Sequence, residues 1–134
     1  MKRFRKNFAS LLFVGLIAFA LPLMAGTAME TKTGTIEGLA CATVGYTCPI
    51  DAADPMIAVE RDFVLMDKSG NFYLMPNLDR GIKARYALKT VTVKGFVDEK
   101  YRSIRVEELI VDGKVVWSQA KEREMRQRLE ERTF

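Results

Sequence analysis

Residues 88–112 carry the pattern that most restricts what this chain can fold into. Val91, Val93 and Val97 share one parity with Gly95, while Thr92, Lys94, Phe96 and Asp98 share the other, which is the period-2 alternation of a half-buried strand. Residues 98–102 turn the chain, and Ile104 and Val106 resume the apolar alternation. Glu107 and Glu108 then interrupt it, because Leu109 and Val111 fall on the opposite parity. One extra residue has to be absorbed there. The spacing predicts a β-hairpin with a β-bulge at the glutamate pair, which bends the strand as the wall of a small barrel requires.

The first 28 residues are a different kind of sequence. Lys2, Arg3, Arg5 and Lys6 precede an apolar run over 9–25 that only Ser10, Gly15 and Pro22 interrupt, with no acidic residue. A basic start, an apolar centre and small residues before a cut are the grammar of a secretory signal peptide. Gly26, Thr27 and Ala28 place the cut after Ala28, with Ala25 as the second candidate. The competing reading is an uncleaved inner-membrane anchor, since residues 8–28 come close to the roughly 20 a membrane span needs. Cleavage suits Pro22 and the small-residue tail better, and implies a periplasmic or secreted protein.

Removing the leader changes the electrostatics. Four of the 21 basic residues lie in it, so residues 29–134 carry 17 basic against 17 acidic side chains. A neutral chain lacks the cationic face that supplies most nucleic-acid affinity, so no nucleic acid is expected as a partner. Its 106 residues suffice for one core.

In order, residues 30–33 are polar and expected to fray, and 34–43 read as a first strand whose parity switches at Gly38. A long connection over 44–61 follows, holding Gly45, Pro49 and Pro55. Residues 62–67 and 71–75 read as short strands joined through Gly70, which is placed for a left-handed turn. Asn77 is the expected N-cap of a helix over 78–87, where Leu78, Ile82 and Tyr86 recur every four residues. After the hairpin, Asp112 and Gly113 turn the chain into 114–117.

Three strands, a short helix and two strands is the element order of a five-stranded Greek-key OB-fold. On that order, and on patches such as Val91 to Gly95 followed by Ile104, Arg105 and Val106, residues 34–111 resemble the small OB-fold proteins that bacteria export to the periplasm. The resemblance implies a mainly β barrel and no particular chemistry. An SH3-like barrel is the alternative, and the helix before the last hairpin argues against it. The expected division is a signal peptide over 1–28, a barrel over 29–117 with its core on Ile36, Leu39, Phe63, Leu65, Val91, Val93, Ile104, Val106 and Val111, and a charged helical tail over 118–134. In the tail, Glu122 with Arg126 and Glu124 with Arg128 are spaced for i,i+4 pairing. Its few apolar residues make a solvated helix, or one that docks on a partner protein.

Few residues can carry chemistry. There is no histidine, which removes the commonest general base and the commonest transition-metal ligand, and no recognisable catalytic constellation remains. Cys41 and Cys48 are the only cysteines, and in an exported chain an even pair reads first as a structural disulfide, worth about 2.5 kcal/mol for so short a loop. Asp51, Asp54, Glu60 and Asp62 are the candidate oxygen ligands for a metal, although Pro55 and the spacing depart from a calcium loop. Tyr46, Phe72, Tyr73 and Tyr101 are candidates for a stacking platform on the face where OB-folds bind, with one of Phe72 and Tyr73 needed in the core. The expectation is a non-catalytic binding module, without a cofactor, for a small ligand, a glycan or a protein partner. A redox or metal-dependent accessory using Cys41 and Cys48 or the acidic loop is the alternative.

Overall fold

The alternation over residues 88–112 becomes two long paired strands, β4 (Thr90–Asp98) and β5 (Ser103–Val111). The computed structural model describes residues 28–49, 51 and 53–133, so the leader and its cleavage site lie outside the described residues apart from Ala28. Val91, Val93, Gly95 and Val97 point inward along β4. On β5 the inward residues are Ile104 and Val106, then Leu109 and Val111. Lys94 pairs with Glu108 and Gly95 with Val106, so Glu107 is the residue left over, and the bulge sits where the parity break predicts it.

A six-stranded sheet forms around this hairpin, in the order β3-β2-β1-β4-β5-β6 with antiparallel neighbours. The remaining strands are β1 (Met29–Gly38), β2 (Phe63–Met66), β3 (Phe72–Leu74) and β6 (Lys114–Ser118). β1 pairs with β4 over its first seven residues and with β2 over its last four. The sheet curls until β3 meets β5 in one parallel bridge, Leu74 opposite Ser103, with the Leu74 N–H donating to the Arg102 carbonyl at 2.8 Å. It is barrel-like without being closed. Its interior holds Ile36, Phe63, Leu65, Met75, Val93, Ile104, Val106 and Leu109, none more than 1 % exposed. Burying each such side chain stabilises the fold by about 1.5–3 kcal/mol.

The structure departs from the sequence expectations in four places. Residues 30–33 do not fray, because β4 supplies a ladder partner for each. The first strand ends at Gly38, and residues 39–44 form helix α1 (Leu39–Val44), so Leu39 is half-buried at the surface of the insertion instead of lying in the core. The parity switch at Gly38 marks a change from strand to helix, which the alanine-rich run Leu39, Ala40, Cys41 and Ala42 favours. The connection over 44–61 contains a second helix, α2 (Ala53–Val59). The helix before the hairpin, α3 (Arg80–Arg85), is shorter than 78–87, and its N-cap is Asp79, whose side chain accepts the Gly81 N–H at 2.7 Å. Asn77 does other work: its amide serves the N–H and carbonyl of Val106 at 2.8 and 2.7 Å, and Gln119 Oε1 at 2.8 Å.

The tail is helix α4 (Gln119–Thr133), with both predicted pairs present, Arg126 to Glu122 and Arg128 to Glu124. Trp117 seats its first turns by donating from Nε1 to Glu122 Oε2 at 2.9 Å. Among the described residues no helix is long and apolar enough to cross a membrane.

Candidate functional site

The insertion between β1 and β2, residues 39–62, gathers the reactive side chains of the chain. Leu39 starts α1 with its N–H on the Asp62 carbonyl (2.9 Å), which folds the insertion back onto the start of β2. α1 ends at Gly45, whose φ of 79° turns the chain and brings Cys48 back towards β1. There the Gly38 N–H donates to Cys48 Sγ at 3.1 Å, and the Cys48 N–H donates to Glu37 Oε2 at 2.9 Å. Glu60, just after α2, places Oε2 on the Ala40 N–H (3.1 Å) and Oε1 at 3.8 Å from Cys41 Sγ. Arg80 fixes the end of α2 by donating to the carbonyls of Ile57 and Glu60 at 2.6 to 3.1 Å, a cation where the helix dipole is negative.

One sulfur each from Cys41 and Cys48 and one Glu60 oxygen thus lie within 4.8 Å of one another. The spacing of the cysteines does bring them together, with the sulfurs 2.8 Å apart, but the expected disulfide is not formed and both are free thiols. The separation exceeds the roughly 2.05 Å of an S–S bond, and Cys48 Sγ accepts instead from the Gly38 N–H. Burial pushes the Cys48 thiol up to about 12, with Cys41 and Glu37 adding to the shift and the Gly38 N–H opposing it. At neutral pH Cys48 in the free protein is therefore a thiol and a poor nucleophile.

Glu37 and Glu60 are 1 % and 7 % exposed, and among the described residues no lysine or arginine forms an ion pair with either. The neighbouring acid Asp62 is treated differently, since the buried Lys83 ammonium pairs with it. Beside the cluster lies a surface pocket of about 380 Å³ lined by Leu39, Ala40, Thr43, Val59, Glu60 and Arg61. Glu60 is common to both.

The other candidates are dispersed. Asp51 and Asp54 are exposed, Glu60 joins the thiols, and Asp62 is taken by Lys83. Tyr73 points into the core opposite Leu65, its hydroxyl reaching Glu99 at 3.2 Å and Lys32 at 3.3 Å, while Phe72 is half-buried. Tyr46 and Tyr101 stand exposed on separate loops. Sequence reasoning missed Glu37, Gly38 and Arg80. Alternation puts Glu37 on the face opposite Ile36, and only the insertion folding over that face buries it. At Gly38 a Cβ would stand 2.4 Å from the Glu60 carboxylate, so the parity switch there was the available signal. Comparison of the chain with protein-family models, with curated proteins and with solved structures gave no match.

Proposed function

We propose that residues 29–134, freed of their leader, are an exported, non-catalytic binding module on an OB-fold-like barrel, with the β1–β2 insertion as its ligand-binding segment. The strand sequence β1-β2-β3-β5-β4, with α3 between β3 and β4, supports the OB-fold reading of the five barrel strands, β6 and α4 being appended to it. The observation that carries the site is the sharing of Glu60 by the pocket and the thiol cluster. Concave surface and convergent polar groups coincide there, as at small-ligand sites generally. A balanced charge argues against nucleic acid and against an anionic membrane surface as partners.

Chemical-shift mapping of isotope-labelled protein against a low-molecular-weight periplasmic extract tests this. Perturbed amides should cluster within 39–62. Perturbation confined to β3 around Phe72 and to the β4–β5 turn around Tyr101 would move the site to the barrel face.

A redox accessory is the second reading, favoured by two free sulfurs 2.8 Å apart with the Glu60 carboxylate positioned to take the Cys41 proton. Cys41 would be the attacking sulfur, because Cys48 is held protonated. A reduction potential among those of disulfide catalysts would favour it; one far below would remove it.

A further inference from the structure

We infer that Cys41, Cys48 and Glu60 are three ligands of a site for one zinc-like divalent cation. The inference deepens the binding-module reading, on which it rests, by naming the ligand class of the same insertion.

The donor set carries the argument. Two sulfurs and a carboxylate oxygen lie within 4.8 Å of one another, on three separate stretches of chain that only the fold brings together. A tetrahedral ion holding thiolates at about 2.3 Å separates two sulfurs by about 3.8 Å. Opening the pair from 2.8 Å by about 1 Å is within the reach of side-chain rotation, since one sulfur hangs from a short helix and the other from a loop. Mixed sulfur and oxygen donors suit a borderline ion. Calcium and magnesium require oxygen throughout, and copper(I) prefers sulfur alone.

Electrostatics point the same way. Two buried carboxylates share this corner with the two thiols, and among the described residues no lysine or arginine forms an ion pair with either carboxylate, although the fold supplies Lys83 to Asp62 a short distance along the chain. Buried acids need a cation or a proton. On binding, the ion replaces the two thiol protons, which leave to solvent, so M²⁺ with two thiols and one carboxylate gives the bound complex and two H⁺.

The surroundings are arranged as an outer shell. Ala40 N–H holds Glu60 Oε2 and leaves Oε1 facing Cys41, Gly38 N–H donates to Cys48 Sγ, and Glu37 fixes the Cys48 backbone. Such partners orient ligands before the ion arrives. Gly38 is required for this approach, as any Cβ would strike the Glu60 carboxylate. Three protein ligands leave one tetrahedral position open, and Glu60 borders the 380 Å³ pocket from which a fourth ligand can come.

The test is titration of the reduced, metal-free protein with Cd²⁺, followed by the sulfur-to-cadmium charge-transfer band, with Zn²⁺ as competitor. One equivalent should saturate the band and one Zn²⁺ should abolish it. Glu37→Gln should weaken binding by about 10- to 100-fold as an outer-shell partner, and Glu60→Gln by more. X-ray absorption at the zinc edge of the wild-type protein should find two sulfurs at about 2.3 Å, a readout that needs no variant to fold. No saturable band from a protein that remains folded and reduced, or zinc with fewer than two sulfurs, overturns the site. If that happens while an organic ligand still shifts the 39–62 amides, the binding-module reading stands and only the metal falls.

Discussion

The β4–β5 hairpin and the β1–β2 insertion solve the same problem by opposite means. In the hairpin, polar backbone is satisfied by the ladder from Thr92 opposite Ile110 to Asp98 opposite Ser103, and side chains are free to fill the core. In the insertion, short helices leave backbone groups unpaired and side chains must serve them: Glu60 for Ala40, Glu37 for Cys48, Arg80 for Ile57 and Glu60. Stability therefore resides in the first region and polar specificity in the second. That division is expected when a rigid scaffold carries a site on its connections.

The strongest way to break this comparison is to cut a cavity in each region. Leu109→Ala removes a fully buried side chain of β5 and should lower unfolding free energy by about 2–5 kcal/mol, with all strands exchanging amide protons faster. Met56→Ala, in α2 at 7 % exposure, should cost less in urea denaturation and loosen chiefly the amides of 39–62. Equal costs, or equal spread of exchange, would show that the insertion and the sheet unfold as one unit.

A sharper test lies where the hairpin itself borrows the insertion's method. Beside the bulge residue Glu107, Val106 has both backbone groups served by the Asn77 amide. Asn77→Ala leaves them without that partner and should cost about 1–3 kcal/mol. Asn77→Asp should keep the bond from the Val106 N–H but set a carboxylate oxygen against the Val106 carbonyl and Gln119 Oε1, giving a loss at least as large in the same assay. A neutral Asn77→Ala would mean that water serves Val106 equally well.

Legibility in the sequence follows the same division. The hairpin, its bulge and the inward residues Val91, Val93, Ile104 and Val106 can be read because alternation is a local property of a strand. α1 cannot, since six residues are far below the roughly 12–15 that an isolated helix needs, and this one exists through contacts such as Leu39 N–H to Asp62. The cysteine pair is legible as a proximity, because seven residues of sequence separation and a Gly45 turn limit where Cys48 can go. Glu60 is legible as an acid in the loop. That it leaves the other acids and joins the thiols depends on Arg80, twenty residues away in sequence, clamping the end of α2.

The tail offers an intermediate effect. Glu122→Ala removes the acceptor of the Trp117 indole and should cost about 0.5–1.5 kcal/mol, with Trp117 fluorescence reporting the change. Glu124→Ala breaks only an exposed i,i+4 pair with Arg128 and should cost at most about 0.5 kcal/mol. Equal effects would show that the indole contact contributes nothing beyond helix pairing.

The smallest effect expected is a pH dependence on the barrel surface. Lys32 donates to Glu99 at 2.9 Å and to the Tyr73 hydroxyl at 3.3 Å, and stands over the Tyr73 ring at 4.8 Å. The hydrogen bond from Lys32 holds the Glu99 carboxyl below its ordinary 4.5, and the same bond raises Lys32 above its ordinary 10.5. A carboxylate depressed in the folded state stabilises above its unfolded pKa and loses that contribution as pH falls through the folded value. A raised lysine stabilises below its unfolded pKa and loses the contribution as pH climbs towards its folded one. The clamp should thus be complete between roughly pH 5 and 10 and weaken on both sides. Because Glu99 is exposed, salt screens the pair and the gain stays near the detection limit. In urea titrations the wild type should exceed Glu99→Gln by a small margin at neutral pH, and the margin should close in acid and in high salt. A margin that persists at low pH would assign the stabilisation to the uncharged hydrogen bonding of the Glu99 side chain with the Tyr73 hydroxyl, and not to charge.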